Sequence, residues 1–406
     1  MRNNYFLRLS KLLLLVVLLG GCYKGSSYEG HTQVHSPFSN AEYPNSDSFA
    51  ALSEQPHQIA LLLPLSGQHA DSAKAIREGF LASYYQQNGT KPNVRVYDTT
   101  KDSDVQRVYA LAIEEGADFV VGPLSKEDVH RLSMLPPRAL KTPVLALNHH
   151  PGVQSAPKHF VQYTLAPEAE AEQIADKAWQ KGYRSASLIV PDNVWGQRTA
   201  SAFTTQWQKR GGRIIHTVHT NASQDQSAAV RRLLGIDESQ KRANHIKNIL
   251  SEKVEFQPRR RQDVDVIVMA APPDQARQLK PLFDFYYAED VPVYATSSVY
   301  SGNPNPKRDR DINGIVFCDM PWLIDQQQGQ NMRQLLNRNG ANQSDQYNRL
   351  FAMGVDAYQL TTHFKQLQTG TKYPGVTGDL ALGSNNHIQR QLSWAKVVDG
   401  VPSKVN

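Results

Sequence analysis

Cysteine is nearly absent from this chain: of 406 residues only Cys22 and Cys318 carry a thiol. Two such distant thiols cannot build a disulfide scaffold, so the core must hold by packing alone. Long apolar runs are missing as well, since none reaches the roughly 20 residues a membrane-spanning helix requires. Charge of one sign is scarce: 44 Lys plus Arg face 38 Asp plus Glu, and Arg259-Arg260-Arg261 is the single basic triplet. That balance is too small and too dispersed to argue for a nucleic-acid partner. Catalytic signatures are lacking too, with no G-x-S-x-G elbow, G-x-x-x-x-G-K-[ST] loop, H-E-x-x-H helix or C-x-x-C pair. Ser66-Gly67-Gln68-His69 has no acid to orient its histidine, and His149 and His150, adjacent on an extended segment, point to opposite sides. No enzyme activity, cofactor or metal site is expected.

What is present starts with Arg2, Arg8 and Lys11 ahead of the apolar run Leu12 to Leu19, closed by Gly20, Gly21 and Cys22. A basic start, a short apolar stretch and small residues before a cut form a secretory signal, expected at 1–21. Leu19-Gly20-Gly21-Cys22 looks like a bacterial lipobox, which makes Cys22 the expected lipid-attachment residue. Cleavage removes three basic residues and leaves a net +3. Tyr23 stands where an inner-membrane retention signal would place Asp, so sorting rules point to the outer membrane. Residues 22–56, rich in Ser, Gly, Asn and Pro without periodicity, read as the lipidated cysteine and a flexible tether.

From His57 onward short apolar runs alternate with amphipathic stretches. Ile59 to Leu63, Val94 to Tyr97, Phe119 to Val121 and Val144 to Leu147 read as strands separated by helical patterns. The rhythm restarts at Pro167, with strands at Ala186 to Val190, Arg213 to Val218, Val264 to Ala270, Val293 to Ala295 and Ile315 to Phe317. Ser227 to Leu250 reads as one polar helical stretch. Strand-then-helix repetition means mostly parallel sheets covered on both faces, and two such series predict an α/β chain of two doubly wound lobes.

The strand ends Leu63-Pro64-Leu65-Ser66-Gly67, Val121-Gly122-Pro123-Leu124-Ser125 and Val144-Leu145-Ala146-Leu147-Asn148 resemble those of type I periplasmic binding proteins. More particular are Arg259 to Asp265, Pro292 to Ser297, Asp311 to Trp322, Gly378-Asp379-Leu380 and Arg390 to Trp394. This series is similar to the LppC-type lipoproteins, the penicillin-binding protein activators, along essentially all of 57–406. The resemblance implies an outer-membrane lipoprotein that binds a class A penicillin-binding protein and stimulates peptidoglycan synthesis without chemistry of its own. Longer members carry a tetratricopeptide-like helical domain where this chain has its tether.

In that fold the chain crosses between lobes three times, here expected near Leu165, Pro321 and Lys372. Lobe 1 would be 57–164 plus 321–371 and lobe 2 would be 165–320 plus 372–406. Ligands of parallel sheets sit beyond the carboxyl ends of strands, which makes Ser66, Gly67, Ser125, Asn148, Tyr163, Trp195 and Tyr300 candidate lining residues of an interlobe cleft. The segment Thr296 to Tyr300 offers no carboxylate for a ligand ammonium, although Asp356 or Glu168 could substitute from elsewhere. Whether a small molecule occupies the cleft stays open, and a lipid-anchored solute receptor of a transport system is the alternative to a docking protein. Asp311, Asp319 and Trp322 are candidates for a partner-facing surface. Phe283, Phe285, Tyr286 and Tyr287 crowd one helix and read as packing residues. Cys318, in an apolar strand, reads as a small hydrophobe.

Overall fold

Apolar runs with no polar interruption can be strands only where helices cover both faces, and the chain supplies those helices between them. The computed structural model describes residues 55–405 except 103, 154–155, 251–254, 339–343 and 384. The expected signal, Cys22 and the tether as far as residue 54 lie outside the described residues. The first stretch runs β1 (Gln58–Leu63), α1 (Ala70–Gln86), β2 (Asn93–Asp98), α2 (Val105–Glu114), β3 (Phe119–Val121), α3 (Lys126–Ser133), β4 (Val144–Ala146) and β5 (Phe160–Gln162). These strands form a parallel sheet of order β2-β1-β3-β4-β5. Alternation along β1 divides the core, because Ile59, Leu61 and Leu63 pack with Ile76 and Phe80 while Ala60 and Leu62 pack with Val105 and Val108 on the opposite face.

The second stretch runs α4 (Pro167–Gln180), β6 (Ser185–Pro191), α5 (Val194–Lys209), β7 (Arg213–Thr220), α6 (Gln226–Leu234), α7 (Ile236–Leu250), β8 (Val266–Met269), α8 (Pro273–Phe285), β9 (Val293–Ala295), α9 (Pro306–Asp309) and β10 (Val316–Asp319). The single helix expected over Ser227 to Leu250 is two helices, broken at Gly235, whose φ of 67° ends α6. After α10 (Pro321–Ile324), α11 (Gln326–Arg338) and α12 (Asp345–Gln368) come β11 (Tyr373–Gly375), β12 (Gly378–Leu382), β13 (Ile388–Gln391), β14 (Ser393–Val398) and β15 (Val401–Val405). The second sheet has order β15-β14-β10-β9-β8-β6-β7, parallel from β10 to β7 and antiparallel at β14 and β15. Within each lobe the parallel strands follow the doubly wound order 2-1-3-4-5.

Long helix α12 returns to the first lobe and lies on α1 at very close range. A Cβ on Gly79 would meet the Phe351 carbonyl oxygen at 1.9 Å, and one on Gly354 would meet that of Ile76 at 2.0 Å. Only glycine fits at either position. The third crossing falls later than Lys372. Tyr373, Leu380, Leu382 and Ile388 pack into the first lobe's core, so the sheet β11-β12-β13 belongs to that lobe and the chain leaves it near Leu392. There Gln173 of α4 clamps the strand, donating to the Arg390 carbonyl at 3.0 Å and accepting from the Leu392 N–H at 3.0 Å.

Candidate functional site

The carboxyl ends of β1, β3 and β4 place four of the expected residues on one rim of the first lobe. Ser66 and Gly67 open a short exposed turn, where the Ser66 hydroxyl meets Thr100 Oγ1 at 2.8 Å and leaves the turn uncapped. Gly122, with φ of 103°, brings β3 so close to β1 that a Cβ would lie 2.1 Å from the Leu62 carbonyl oxygen. The chain then reaches Ser125, whose Oγ caps α3 by accepting from the Asp128 N–H at 3.1 Å. Asn148 joins the ends of β3 and β4, its Nδ2 donating to the Leu124 carbonyl at 2.9 Å.

The remaining candidates are placed differently. Tyr163 is fully buried, its hydroxyl 2.7 Å from Thr377 Oγ1, and Tyr300 is 2% exposed with its ring against Phe317. Both are packing residues and line no open cleft. Trp195 is half-buried against the core of the second lobe at the start of α5. Asp319 is 1% exposed and Trp322 3% exposed. Neither forms a surface that a partner could touch, because the apolar strand β10 and helix α10 carry both inward. Asp311 is exposed on a short turn ahead of β10. Cys318 is a buried free thiol, its pKa pushed up by burial.

What joins the lobes is a polar cluster that the sequence did not reveal. Arg349 of α12 reaches across to the carboxyl end of β10, where its guanidinium binds both oxygens of Asp319, Nη2 to Oδ2 at 2.9 Å. The same Nη2 donates to the carbonyls of Ser297 and Tyr300 at 3.3 Å. Glu170, in the first turn of α4, accepts from the Ser297 N–H and hydroxyl, both at 2.9 Å. Burial opposes the charge on Arg349, yet Asp319 and then Glu170 raise its pKa above the usual value. Burial, then the charge of Asp319, pushes the Glu170 carboxyl up, against Arg390 and the bond from Ser297. Nothing in the sequence around Arg349 distinguished it, since a single arginine in an amphipathic helix ordinarily faces solvent.

The two acids that could have received a ligand's ammonium are also occupied. Glu168 is paired with Arg198 of its own lobe, at 2.6 and 2.8 Å. Asp356, buried in α12, accepts from the N–H groups of Val376 and Thr377 at 2.8 Å and from Thr377 Oγ1 at 2.6 Å. Burial lifts its pKa to about 6 even so. His149 and His150 turn to different neighbours: His149 meets His387 with ring centroids 4.0 Å apart, and His150 stacks on His130 at 4.3 Å. Among the described residues no three metal-ligating side chains converge. Chemically the seam joins acid to base and donor to acceptor, using groups that in a receptor would be left for a ligand.

Two doubly wound lobes joined by three crossings define the periplasmic-binding-protein-like class of type I. A putative branched-chain amino acid ABC transporter protein of Chromobacterium violaceum shares this fold, with a TM-score of 0.63 and 25% identity over 84% of this chain and 99% of that one. The model of the LppC putative lipoprotein family matches residues 46–400, and the chain belongs to that family. Penicillin-binding protein activator LpoA of Photobacterium profundum is 30% identical over 345 residues, which is 83% of this chain and 55% of that relative. This chain therefore spans little more than half of its relative's length. The C-domain of LpoA from Haemophilus influenzae, described as a regulator of PBP1A, is 29% identical with a TM-score of 0.67, covering 86% of this chain and all of that domain.

Proposed function

We propose that this protein is an outer-membrane lipoprotein, anchored through acylated Cys22, that docks on a class A penicillin-binding protein and raises its rate of peptidoglycan synthesis without catalysing a reaction itself. The reading is carried by kinship over residues 46–400 to a family whose relatives are named penicillin-binding protein activators. The paired seam adds to it. A solute receptor must hold unpaired donors and acceptors ready for its ligand, whereas Arg349 and Glu170 already bind Asp319 and Ser297.

Activation requires a regulator to bind one state of the synthase more tightly than another. The test is glycan polymerisation and crosslinking by the organism's class A synthase, with and without the mature protein. A saturable rise in rate is expected, and an unchanged rate with correctly folded protein sinks the reading. Palmitate labelling that persists in a Cys22→Ala variant would remove the anchor. A solute at 100 times its dissociation constant that stabilised the protein by about 2.7 kcal/mol would favour the receptor alternative.

A further inference from the structure

The second lobe has an end remote from the seam, where the residues before β8 and β9 lie with the carboxyl ends of α6 and α8. Cations and aromatic rings gather there, and only part of the charge is paired. Arg259-Arg260-Arg261 forms a strap between two hollows. One, of about 370 Å³, is lined by His216, Arg232, Gly235, Glu238, Arg242 and Arg261. The other, of about 400 Å³, is lined in part by Pro258, Arg259, Arg260, Tyr287, Glu289 and Asp290.

Two of these arginines are structural. Arg260 donates to the Tyr287 carbonyl at 2.6 Å and to Asp290 at 2.5 Å, and Arg261 holds Asp263 through two bonds of 2.7 and 2.9 Å. Among the described residues the guanidinium groups of Arg232, Arg242 and Arg259 have no ion-pair partner, and all three are exposed. Some other surface arginines, among them Arg95, Arg107, Arg198 and Arg210, are paired, whereas Arg138, Arg213 and Arg310 stand singly, so what sets this end apart is three unpaired guanidinium groups close together.

The rings beside them divide sharply. Phe283 is fully buried and Tyr286 packs against the same core, but Phe285 is 70% exposed and Tyr287 60% exposed, with Phe256 at 40% nearby. Tyr287 has φ of 59°, a backbone conformation natural to glycine that side chains rarely adopt. The exposed ring held there meets Gln257 Nε2 through its hydroxyl at 2.8 Å. Exposed aromatic rings beside arginines are the composition of binding hot spots.

We infer that this end of the second lobe docks an acidic protein segment carrying apolar side chains. Its carboxylates engage Arg232, Arg242 and Arg259, and an apolar side chain lies against Phe285 and Tyr287. Resting on the docking function proposed above, the inference places that segment on the penicillin-binding protein. Charge complementarity is the argument: three exposed guanidinium groups with no ion-pair partner among the described residues gather at one end of the lobe, and a carboxylate is the group that pairs with guanidinium in two-pronged fashion.

The test measures binding of the class A synthase to the mature protein at two salt concentrations. Two variants are compared, Arg232→Glu/Arg242→Glu/Arg259→Glu and Tyr287→Gly. Wild-type affinity should fall at least fivefold between 50 and 300 mM salt. The triple reversal should bind at least 30-fold more weakly and Tyr287→Gly about tenfold, both with unchanged melting temperature. A glutamate–tyrosine random copolymer should compete for the wild type and not for the triple variant. Tight binding by the wild type and by both variants would overturn this surface while leaving the docking function standing. No binding by folded wild type would overturn both. Loss of binding in the variants with no competition by the copolymer would overturn the acidic chemistry.

Discussion

The seam between the lobes and the far end of the second lobe are both built from arginine, acid and aromatic residues, yet they are solved in opposite ways. At the seam Arg349, 17% exposed, finds Asp319, 1% exposed, and Glu170 finds Ser297. At the far end Arg232, Arg242 and Arg259 find no ion-pair partner among the described residues, and Phe285 and Tyr287 face solvent. Desolvation explains the difference. A buried charge must be paired or the fold pays several kcal/mol, whereas an exposed charge is satisfied by water and can be exchanged for a partner later. Buried pairing marks the groups that hold the seam, and a cluster of exposed, unpaired groups is what leaves the far end available for recognition.

The sharpest way to break the contrast is Arg349→Ala. It leaves Asp319 buried and uncompensated beside Glu170, and should cost about 3–5 kcal/mol in urea denaturation. If the pair is structural only, Arg349→Met with Asp319→Leu should recover most of that loss. A loss below 1 kcal/mol in the single variant would mean that the seam opens easily. Next comes Gly354→Ala, whose Cβ would press on the Ile76 carbonyl oxygen at 2.0 Å. Backbone meets backbone there and no side chain can yield, so a loss of about 3 kcal/mol is expected. An unchanged denaturation midpoint would refute the close crossing of α1 and α12.

A smaller effect depends on pH. The Gln162 amide is oriented by the His150 N–H, which donates to Oε1 at 2.9 Å, so its NH2 group must donate to His387 Nε2 at 2.8 Å. His387 is then neutral, and burial followed by the neighbouring His149 lowers its pKa to about 4. The unfolded chain binds this proton from about pH 6.5 downward and the folded chain only near 4, so stability is lost as pH falls through that window. Asp356 acts with the opposite sign: its pKa is raised to about 6, so acidification from 6 toward 3.8 favours the folded state. His387→Gln should remove a loss on the order of 2 kcal/mol between pH 6.5 and 4, allowing for screening of a partly exposed ring. Parallel pH profiles for variant and wild type would contradict the assignment.

The same contrast governs what could be read in advance. Strands such as Phe119–Val121 and Val293–Ala295 were legible to the residue because apolar runs bounded by Gly and Pro have one solution between two helical layers. The sheet β11-β12-β13 was not, since Tyr373–Gly375 and Ile388–Gln391 are short, polar on one side and fixed by contact with the first lobe. Candidate residues were legible as positions on strand ends, and Ser125 and Asn148 stand there. Their exposure was not, because burial of Tyr163 and Tyr300 depends on Thr377 and Phe317, more than 200 residues from Tyr163 in one case and from a neighbouring strand in the other. Arg349 was invisible for the same reason, as its partner lies on another lobe. The four aromatic residues from Phe283 to Tyr287 read alike in sequence, and only the end of α8 sends two of them inward and two outward.

Tyr287→Gly is the smallest perturbation and discriminates best between the two regions. Glycine accepts φ of 59° without the steric penalty of about 1 kcal/mol that a side chain meets, while its extra freedom in the unfolded chain costs nearly as much. The ring contributes little in return, being 60% exposed with its hydroxyl accepting from Gln257 Nε2 at 2.8 Å. The net change should lie within about 0.5 kcal/mol of zero. A residue that can be removed without loss of stability, at a position where glycine is the natural occupant, is not maintained by the fold. Should the variant instead lose more than about 1 kcal/mol, Tyr287 would be a packing residue, and the far end would follow the same rule as the seam.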